Sequence, residues 1–174
     1  FSMRCKKLPA RLREYNAFKT LRGQIEDFQV VLPILQEFTK ESIRDRHWEE
    51  VMAITNSSFD FAGPEFRLQS LLDINMVAKK DEIEEVTDGA DKQLKIERGL
   101  EDIEARWSTA IFSFREWKGR NVQILQGTAG TMEELEEAQM NLQAMLTMRH
   151  VTPFRERAQE LLQALSETSD TLER

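Results

Sequence analysis

The feature that most constrains the fold is a long apolar stripe with the period of an α-helix in the middle of the chain. Its positions alternate steps of four and three residues, and the same face extends back to Ile83. The members after residue 95 are Ile96, Leu100, Ile103, Trp107, Ala110, Phe114 and Trp117. Such spacing places them on one face of a helix that packs against a partner. We therefore predict a long central helix over about residues 79–117, ~58 Å in length, and an elongated molecule.

Shorter stripes on either side predict the remaining architecture. The same spacing runs from Phe18 to Leu35 and again from Phe154 to Leu172. Of 174 residues, 40% are hydrophobic and 32% charged, with only 7 Gly and 4 Pro, as expected for a helical rod or bundle. The predicted fold class is all-α, an elongated bundle of antiparallel helices, and residues 121–126 are compatible with a short extended segment.

Local signals mark the ends of the predicted helices. Thr131 and Glu134 have the spacing of a capping box, and Thr152 before Pro153 is typical of a cap residue followed by proline in the first turn. Both pairs predict the start of a helix. The tryptophans Trp107 and Trp117 lie on the stripe of the central helix, which predicts that they pack in the core.

Turn-forming residues predict how the chain is divided. They concentrate at 56–64, the clearest loop in the sequence. We predict that residues 1–174 form a single helical rod, and that this loop separates two candidate sub-bundles at 8–58 and 65–174.

Three positions are candidates for flexible points within the predicted helices. Pro33 predicts either a kink or a second helix that begins near Leu32, because proline lacks a backbone donor and clashes with the preceding turn. Gly89 and Gly99 each cost about 1 kcal/mol relative to alanine inside a helix. Either they allow a neighbour to pack closely or they mark soft points.

Charge is distributed unevenly along the chain. Residues 1–22 hold seven bases against Glu14 alone, a net charge of +6, whereas residues 81–106 sum to −6 and the whole chain to −7. Most of these charges are expected on solvated helix faces, although the two blocks could also pair or contact neighbouring domains. The overall acidity predicts no nucleic-acid partner, and the lack of a long apolar run predicts no membrane partner.

The motifs that most enzymes need are missing from the sequence. The glycines at 127 and 130 are not followed by the lysine of a phosphate-binding loop, and His47 and His150 lack metal-ligand spacing. We predict no catalytic, cofactor-binding or metal site and therefore no enzyme activity. The lone cysteine, Cys5, predicts a reducing, intracellular setting.

Several of these elements, taken in order, resemble one protein family. They are Arg46-His47-Trp48, then the long acidic helix with Ile96-Glu97, Leu100 and Trp107, then a connector, an acidic helix with Leu135, and the helix start Pro153-Phe154. In this order they resemble the linker region of dynein heavy chains, and most of all the axonemal outer-arm (gamma-type) heavy chains. The resemblance covers residue 8 to the end. One departure is Leu161-Leu162, where relatives often carry tryptophan.

The resemblance implies a mechanical role. The linker of a dynein heavy chain is a helical element that couples conformational change in a ring of ATPase modules to movement of the tail. The implied partners are the ATPase ring and tail of the same heavy chain and other subunits of the dynein complex. The implied location is the cytoskeleton of a ciliary or flagellar axoneme, with the cytoplasm as the alternative. ATP hydrolysis would belong to other parts of the motor.

Two other classes of function share this composition. A spectrin-like structural rod would show an internal repeat near the length of a helical hairpin, and we find none. A helical bundle that only binds partners would show a large exposed apolar patch. An enzyme is the least favoured class, because the paired acids fall mostly on polar helix faces.

Overall fold

The computed structural model describes residues 1–74 and 76–173. Within them the chain forms seven α-helices and one two-stranded sheet, which confirms the all-α class. The helices are α1 (Ser2–Lys6), α2 (Asn16–Glu37), α3 (Asp45–Thr55), α4 (Leu68–Asp73), α5 (Lys80–Ser108), α6 (Thr128–Thr147) and α7 (Arg155–Leu172), and the strands are β1 (Ser113–Glu116) and β2 (Gln123–Gln126). Predicted ranges that include Asn75 or Arg174 extend outside the described residues.

The chain divides into two compact units, Phe1–Asp91 and Lys92–Arg174. The predicted loop at 56–64 does separate α3 from α4, but the division between units falls inside α5 instead. The reason lies in the core of the first unit, which takes Val51 from before the loop and Leu71 from after it. The loop therefore folds over one core and does not separate two sub-bundles at 8–58 and 65–174.

The core of the first unit forms around the second half of α2. Its buried members are Val31, Ile34, Phe38, Val51, Leu71, Met76, Ile83 and Val86. Helix α2 continues through Pro33, so the alternative of a second helix near Leu32 is wrong. Proline denies the carbonyl of Gln29 its helical donor, and both residues are exposed, so water can reach that carbonyl.

The second unit packs the later part of α5 against α6 and α7. Leu100, Leu135 and Leu142 are fully buried at its centre. A Cβ on Gly99 would meet the tip of Met145, and Arg106 pairs with Glu134 at 3.1 Å. Because residue numbers rise along α5 as they fall along α6, these two helices are antiparallel, as predicted.

The central helix ends earlier than its stripe predicts. It stops at Ser108, after 29 residues and about 43 Å, and does not reach residue 117. The hydroxyl of Ser108 donates to the carbonyl of Ala105 at 3.0 Å, and that of Thr109 donates to the carbonyls of Ala105 and Arg106. Such local bonds compete with continuation of a helix. The Ser-Thr pair therefore marks the end that periodicity overlooks.

The residues after this end form a β-hairpin. Strand β1 pairs with β2 in antiparallel register, with Phe114 opposite Leu125. The turn holds Lys118, Gly119 and Asn121 at positive φ, which is how short hairpin loops close. The extended segment predicted at 121–126 is confirmed. The prediction that the residues of β1 belong to the central helix is wrong. The predicted burial of Trp117 is also wrong, because its side chain is 39% exposed.

The two predicted helix starts are displaced by a few residues. Helix α6 begins at Thr128, ahead of Thr131, and its cap is Gly127 at φ 75°. Residues Arg149–Phe154 form a 3₁₀ helix that contains Pro153, and α7 follows at Arg155. Glycine can adopt the left-handed conformation without strain, which allows the chain to leave β2 and enter α6 without a spacer.

Candidate functional site

Residues Arg46, His47 and Trp48 lie on the first turn of α3, where His47 acts as a structural cap. The backbone N–H of Arg44 donates to Nδ1 of His47 at 2.9 Å, and the imidazole is 1% exposed. A histidine that accepts through Nδ1 carries its proton on the other ring nitrogen. His47 therefore fixes the entry of the chain into α3.

Trp48 is the centre of an aromatic cluster that holds the 56–64 loop against the first unit. Its ring stacks on Phe38 with centroids 4.5 Å apart and on Phe61 at 5.8 Å. Phe59 and Phe66 meet it edge-on at 6.1 and 5.8 Å. Stacked and edge-to-face pairs each contribute about 0.5–1.5 kcal/mol beyond burial. We call these five residues the aromatic cluster.

Most of the predicted residues that follow Arg46-His47-Trp48 in the sequence come together in the core of the second unit. Ile96, Leu100 and Phe154 are buried there, and Trp107 packs against them. Glu97 is half-buried on α5, and Pro153 is exposed in the 3₁₀ turn before α7. The apolar members of this group therefore act through packing. Arg46, His47 and Trp48 belong to the other unit.

Trp107 carries an unusual polar atom within that core. Its indole Nε1 is buried, and within the described residues it has no hydrogen-bond partner. A buried unpaired donor costs about 1–3 kcal/mol of desolvation. The side chain therefore contributes to this core through its apolar surface and not through a hydrogen bond.

Two ion-pair networks lie within the separate units, one between α5 and the connection from α2 to α3, the other between α5 and α7. In the first unit, Asp91 accepts from Lys40 at 2.8 Å and from Ser42 at 2.6 Å, and the hydrogen bond to Asp91 raises the pKa of Lys40 above its ordinary value. In the second unit, Arg157 donates through two nitrogens to Glu104, at 2.7 and 2.5 Å. These hydrogen bonds lower the pKa of Glu104 and raise the pKa of Arg157.

The predicted flexible points all lie within helices. Gly99 is the position where Met145 approaches α5, because an added Cβ would lie 2.5 Å from the methyl of that residue. Close packing is therefore the explanation that the structure favours for this glycine. Gly89 is buried in the same helix, and Pro33 is an exposed interior residue of α2. Their flexibility stays a prediction.

Two surfaces escaped the sequence-based prediction. The hairpin exposes large apolar side chains, with Ile111 at 91%, Phe114 at 62% and Val122 at 52%. The second surface is a basic cleft between α1 and α2, lined by Lys6, Arg13 and Arg22 among others. The run of bases in residues 1–22 was the one sequence feature that pointed to the cleft. The hairpin was missed because residues 109–117 were interpreted as helical.

Two kinds of feature, a metal-binding cluster and a membrane-spanning helix, were sought among the described residues. No group of three or more histidine, cysteine or acidic side chains in that part of the chain is placed to hold a metal ion. None of its helices is both long and apolar enough to cross a bilayer. The arrangement is that of packed helices with exposed surfaces for contact.

Comparison with known proteins decides the family. The family described as "Dynein heavy chain, N-terminal region 2" matches residues 1–174. The chain belongs to this dynein heavy chain family. The match confirms the resemblance drawn from Arg46-His47-Trp48 and the elements that follow it.

Axonemal dynein heavy chains are among the relatives. The chain is 41% identical over 170 residues, 97% of its length, to "Dynein gamma chain, flagellar outer arm" of Chlamydomonas reinhardtii. It is 31% identical over 99% of its length to "Dynein axonemal heavy chain 8" of Mus musculus. Identity to "Dynein alpha chain, flagellar outer arm" of Chlamydomonas reinhardtii is 26% over 98% of the chain. The similarity to the gamma-type chain is thus confirmed.

This dynein heavy-chain sequence is short beside its relatives. It spans only 4% of the length of each of these three proteins.

Proposed function

We propose that this chain is a mechanical linker segment of a microtubule motor heavy chain. It couples conformational change in an ATPase ring to movement of the tail, and it contains no catalytic centre. The observation that carries the proposal is the family match over the whole of residues 1–174. ATP hydrolysis belongs to other regions of the motor.

The helices of the chain have the form that such a role requires. Helix α5 runs without a break for 29 residues, and α2 continues for 22 residues through Pro33. Packing of an apolar face supplies most of the stability of a helix. Buried cores hold both helices along their apolar faces.

The proposed setting follows from the relatives' names. The gamma and alpha chains are named as flagellar outer-arm proteins, and the mouse relative as axonemal. We assign this chain to the same setting, a dynein complex of an axoneme, with the ATPase ring, the tail and other dynein subunits as its partners. An antibody against this chain should label cilia or flagella and recognise a very large polypeptide. Detection of only a small cytosolic protein would overturn the assignment.

Breaking α5 within a full-length dynein heavy chain tests the mechanical role. Lys95 is exposed in this helix, so substituting it leaves the buried side chains in place. Lys95→Pro removes one helical hydrogen bond and costs about 3 kcal/mol, whereas Lys95→Gly costs about 1 kcal/mol. We expect microtubule gliding to slow in the order Ala, Gly, Pro, while basal ATPase activity changes less than about twofold.

The matched control is Lys95→Ala, which removes the charge and keeps the helix. Gliding speed that is equal in all three variants would contradict a mechanical role for α5. A parallel fall in ATPase activity and speed would place the defect in catalysis instead. Either result would leave the family membership untouched and overturn the proposed coupling.

A second candidate function is favoured by the exposed hairpin. A helical bundle that only binds partners should present an apolar patch. Exposed apolar surface is formed by Phe114 on β1 and by Ile111 and Val122, which flank the two strands. Charged substitutions Ile111→Glu and Phe114→Glu separate the two functions. If they abolish incorporation into the dynein complex but spare gliding of the motor that does assemble, the hairpin serves assembly. If speed falls with assembly intact, it serves the stroke.

A further inference from the structure

A cleft of about 300 Å³ lies between α1 and the first half of α2. Cys5 and Lys6 of α1, Arg13 of the connection, and Phe18, Arg22 and Ile25 of α2 line it. All of them belong to the first unit. The cleft thus combines cationic walls with apolar side chains in a space that fits a few side chains of a ligand.

The cations of the cleft retain unused donors. Arg22 pairs with Glu26 at 2.7 Å, and both side chains are more than half exposed. The guanidinium of Arg13 donates to the carbonyl of Lys6 at 3.1 Å. A guanidinium carries five N–H donors, so both arginines can accept a further anion. Among the described residues, no carboxylate pairs with Lys6.

The apolar part of the cleft consists of the half-buried side chains of Phe18 and Ile25. Phe18 and Ile25 lie seven residues apart, on the same face of α2. The hydrophobic core of the first unit begins at Val31 and includes neither of them. The apolar stripe of α2 therefore extends past the part of the helix that the core covers.

We propose that this cleft binds an acidic peptide segment that carries an apolar side chain between its carboxylates. The carboxylates pair with Lys6, Arg13 and Arg22, and the apolar side chain covers Phe18 and Ile25. Arginine suits this ligand because its planar fork binds a carboxylate through two parallel hydrogen bonds. The proposal stands on the local geometry and does not depend on the mechanical role.

Charge favours a peptide over a nucleic acid as the occupant. Residues 1–22 carry +6, but the whole chain carries −7, so attraction of an anion is confined to this segment and suits a ligand short enough to stay within it. Glu26 also lines the cleft. Its carboxylate opposes a continuous row of phosphates, whereas a peptide with spaced acids can avoid it.

Binding to the whole chain is measured with synthetic peptides that separate charge from apolar contact. The probe is Glu-Glu-Phe-Glu-Glu, with Gln-Gln-Phe-Gln-Gln and Glu-Glu-Ala-Glu-Glu as matched controls, followed by fluorescence anisotropy. We expect a Kd on the order of tens of micromolar for the probe, and about tenfold weaker binding when the charges or the ring are removed. Raising salt from about 50 to about 300 mM should weaken binding of the charged peptides. An oligothymidylate that binds more tightly than the probe would overturn the proposal.

Variants locate the binding within the basic segment. Lys6→Gln and Arg22→Gln should each weaken binding about fivefold, whereas Arg11→Gln, which removes a base of the same segment outside the cleft, should change it less than about twofold. Phe18→Ala should weaken binding of the probe but not of the alanine peptide. Equal losses at Arg11 and Arg22 would show that net charge alone attracts the peptide.

Cys5 gives an independent readout, because it is the sole cysteine of the chain and lines the cleft. The probe peptide should slow alkylation of Cys5 by a maleimide about threefold or more at saturation, and the glutamine peptide should not. Circular dichroism of each variant confirms that it is folded. Unchanged alkylation at saturating probe would place the peptide elsewhere and overturn the proposal.

Discussion

The two units of the chain bury their cores by different means. In the first unit four phenylalanine rings surround Trp48 of α3. One comes from the residue after α2 and three from the segment between α3 and α4. The second unit aligns aliphatic stripes of three helices, with Leu100, Leu135 and Leu142 at the centre. The packing of the first core depends on the orientation of aromatic rings, whereas the packing of the second depends on the volume and helical spacing of apolar side chains.

The largest expected effect is the loss of the central ring of the aromatic cluster. Trp48→Ala should destabilise the first unit by about 4 kcal/mol, because it removes a large side chain and its four ring contacts. Hydrogen exchange should accelerate in α3 and the backbone of residues 57–66, while amides of α6 and α7 stay protected. Trp117→Ala is the matched control, since that ring is 39% exposed, and it should cost less than about 1 kcal/mol.

The next effect is expected in the aliphatic core. Leu100 is fully buried, so Leu100→Ala should lower the free energy of unfolding of the second unit by about 3 kcal/mol. The contrast between the units is tested by conservative variants. Leu100→Met should restore most of the loss, whereas Trp48→Leu should restore little, because it fills space without a ring. Equal rescue at both sites would show that the units differ less than their cores suggest.

The same contrast explains what the sequence could predict. Helical spacing located the core positions Ile96, Leu100 and Leu135, because an aliphatic stripe records its burial in the sequence. The aromatic cluster could not be predicted in this way. Its members Phe59, Phe61 and Phe66 lie in the irregular segment between α3 and α4, where buried residues follow no regular spacing.

Competition between local signals explains why the sequence analysis predicted too late an end for the central helix. Ala110, Phe114 and Trp117 continued the stripe by spacing alone, while hydroxyl bonds at Ser108 and Thr109 ended the helix. Phe112 and Phe114 also favour a strand. The basic cleft was visible only as a run of bases, because its shape depends on how α1 meets α2.

A smaller effect separates packing from flexibility at a glycine of the second unit. Gly99→Ala gains about 1 kcal/mol of helix propensity and forces the methyl of Met145 to move. Because that methyl ends a flexible side chain, we expect a net stabilisation of about 0.5 kcal/mol in thermal unfolding. Gly127→Ala should instead destabilise by about 1 kcal/mol, since φ is 75° there. A destabilised Gly99→Ala would mean that the helices cannot adjust at this contact.

The smallest effect concerns the ion pair that joins α5 to α7 in the second unit. Glu104→Gln keeps the shape of the side chain and removes its charge, and both partners are more than a third exposed, so the cost at neutral pH should be below about 1 kcal/mol. The hydrogen bonds from Arg157 lower the pKa of Glu104 from its ordinary value of 4.5. A lowered pKa in the folded state adds stability above the unfolded value, and this stability is lost as the pH falls through the folded value. The difference in the free energy of unfolding between the parent chain and Glu104→Gln should therefore be constant near neutrality and decline below about pH 5.

Urea unfolding across that pH range measures this difference, and Glu133→Gln on the exposed face of α6 is the control. If the difference persists in acid, the glutamine perturbs packing and the pair contributes nothing through its charge. If it declines as expected, electrostatics adds only a small increment to a unit that apolar volume holds together.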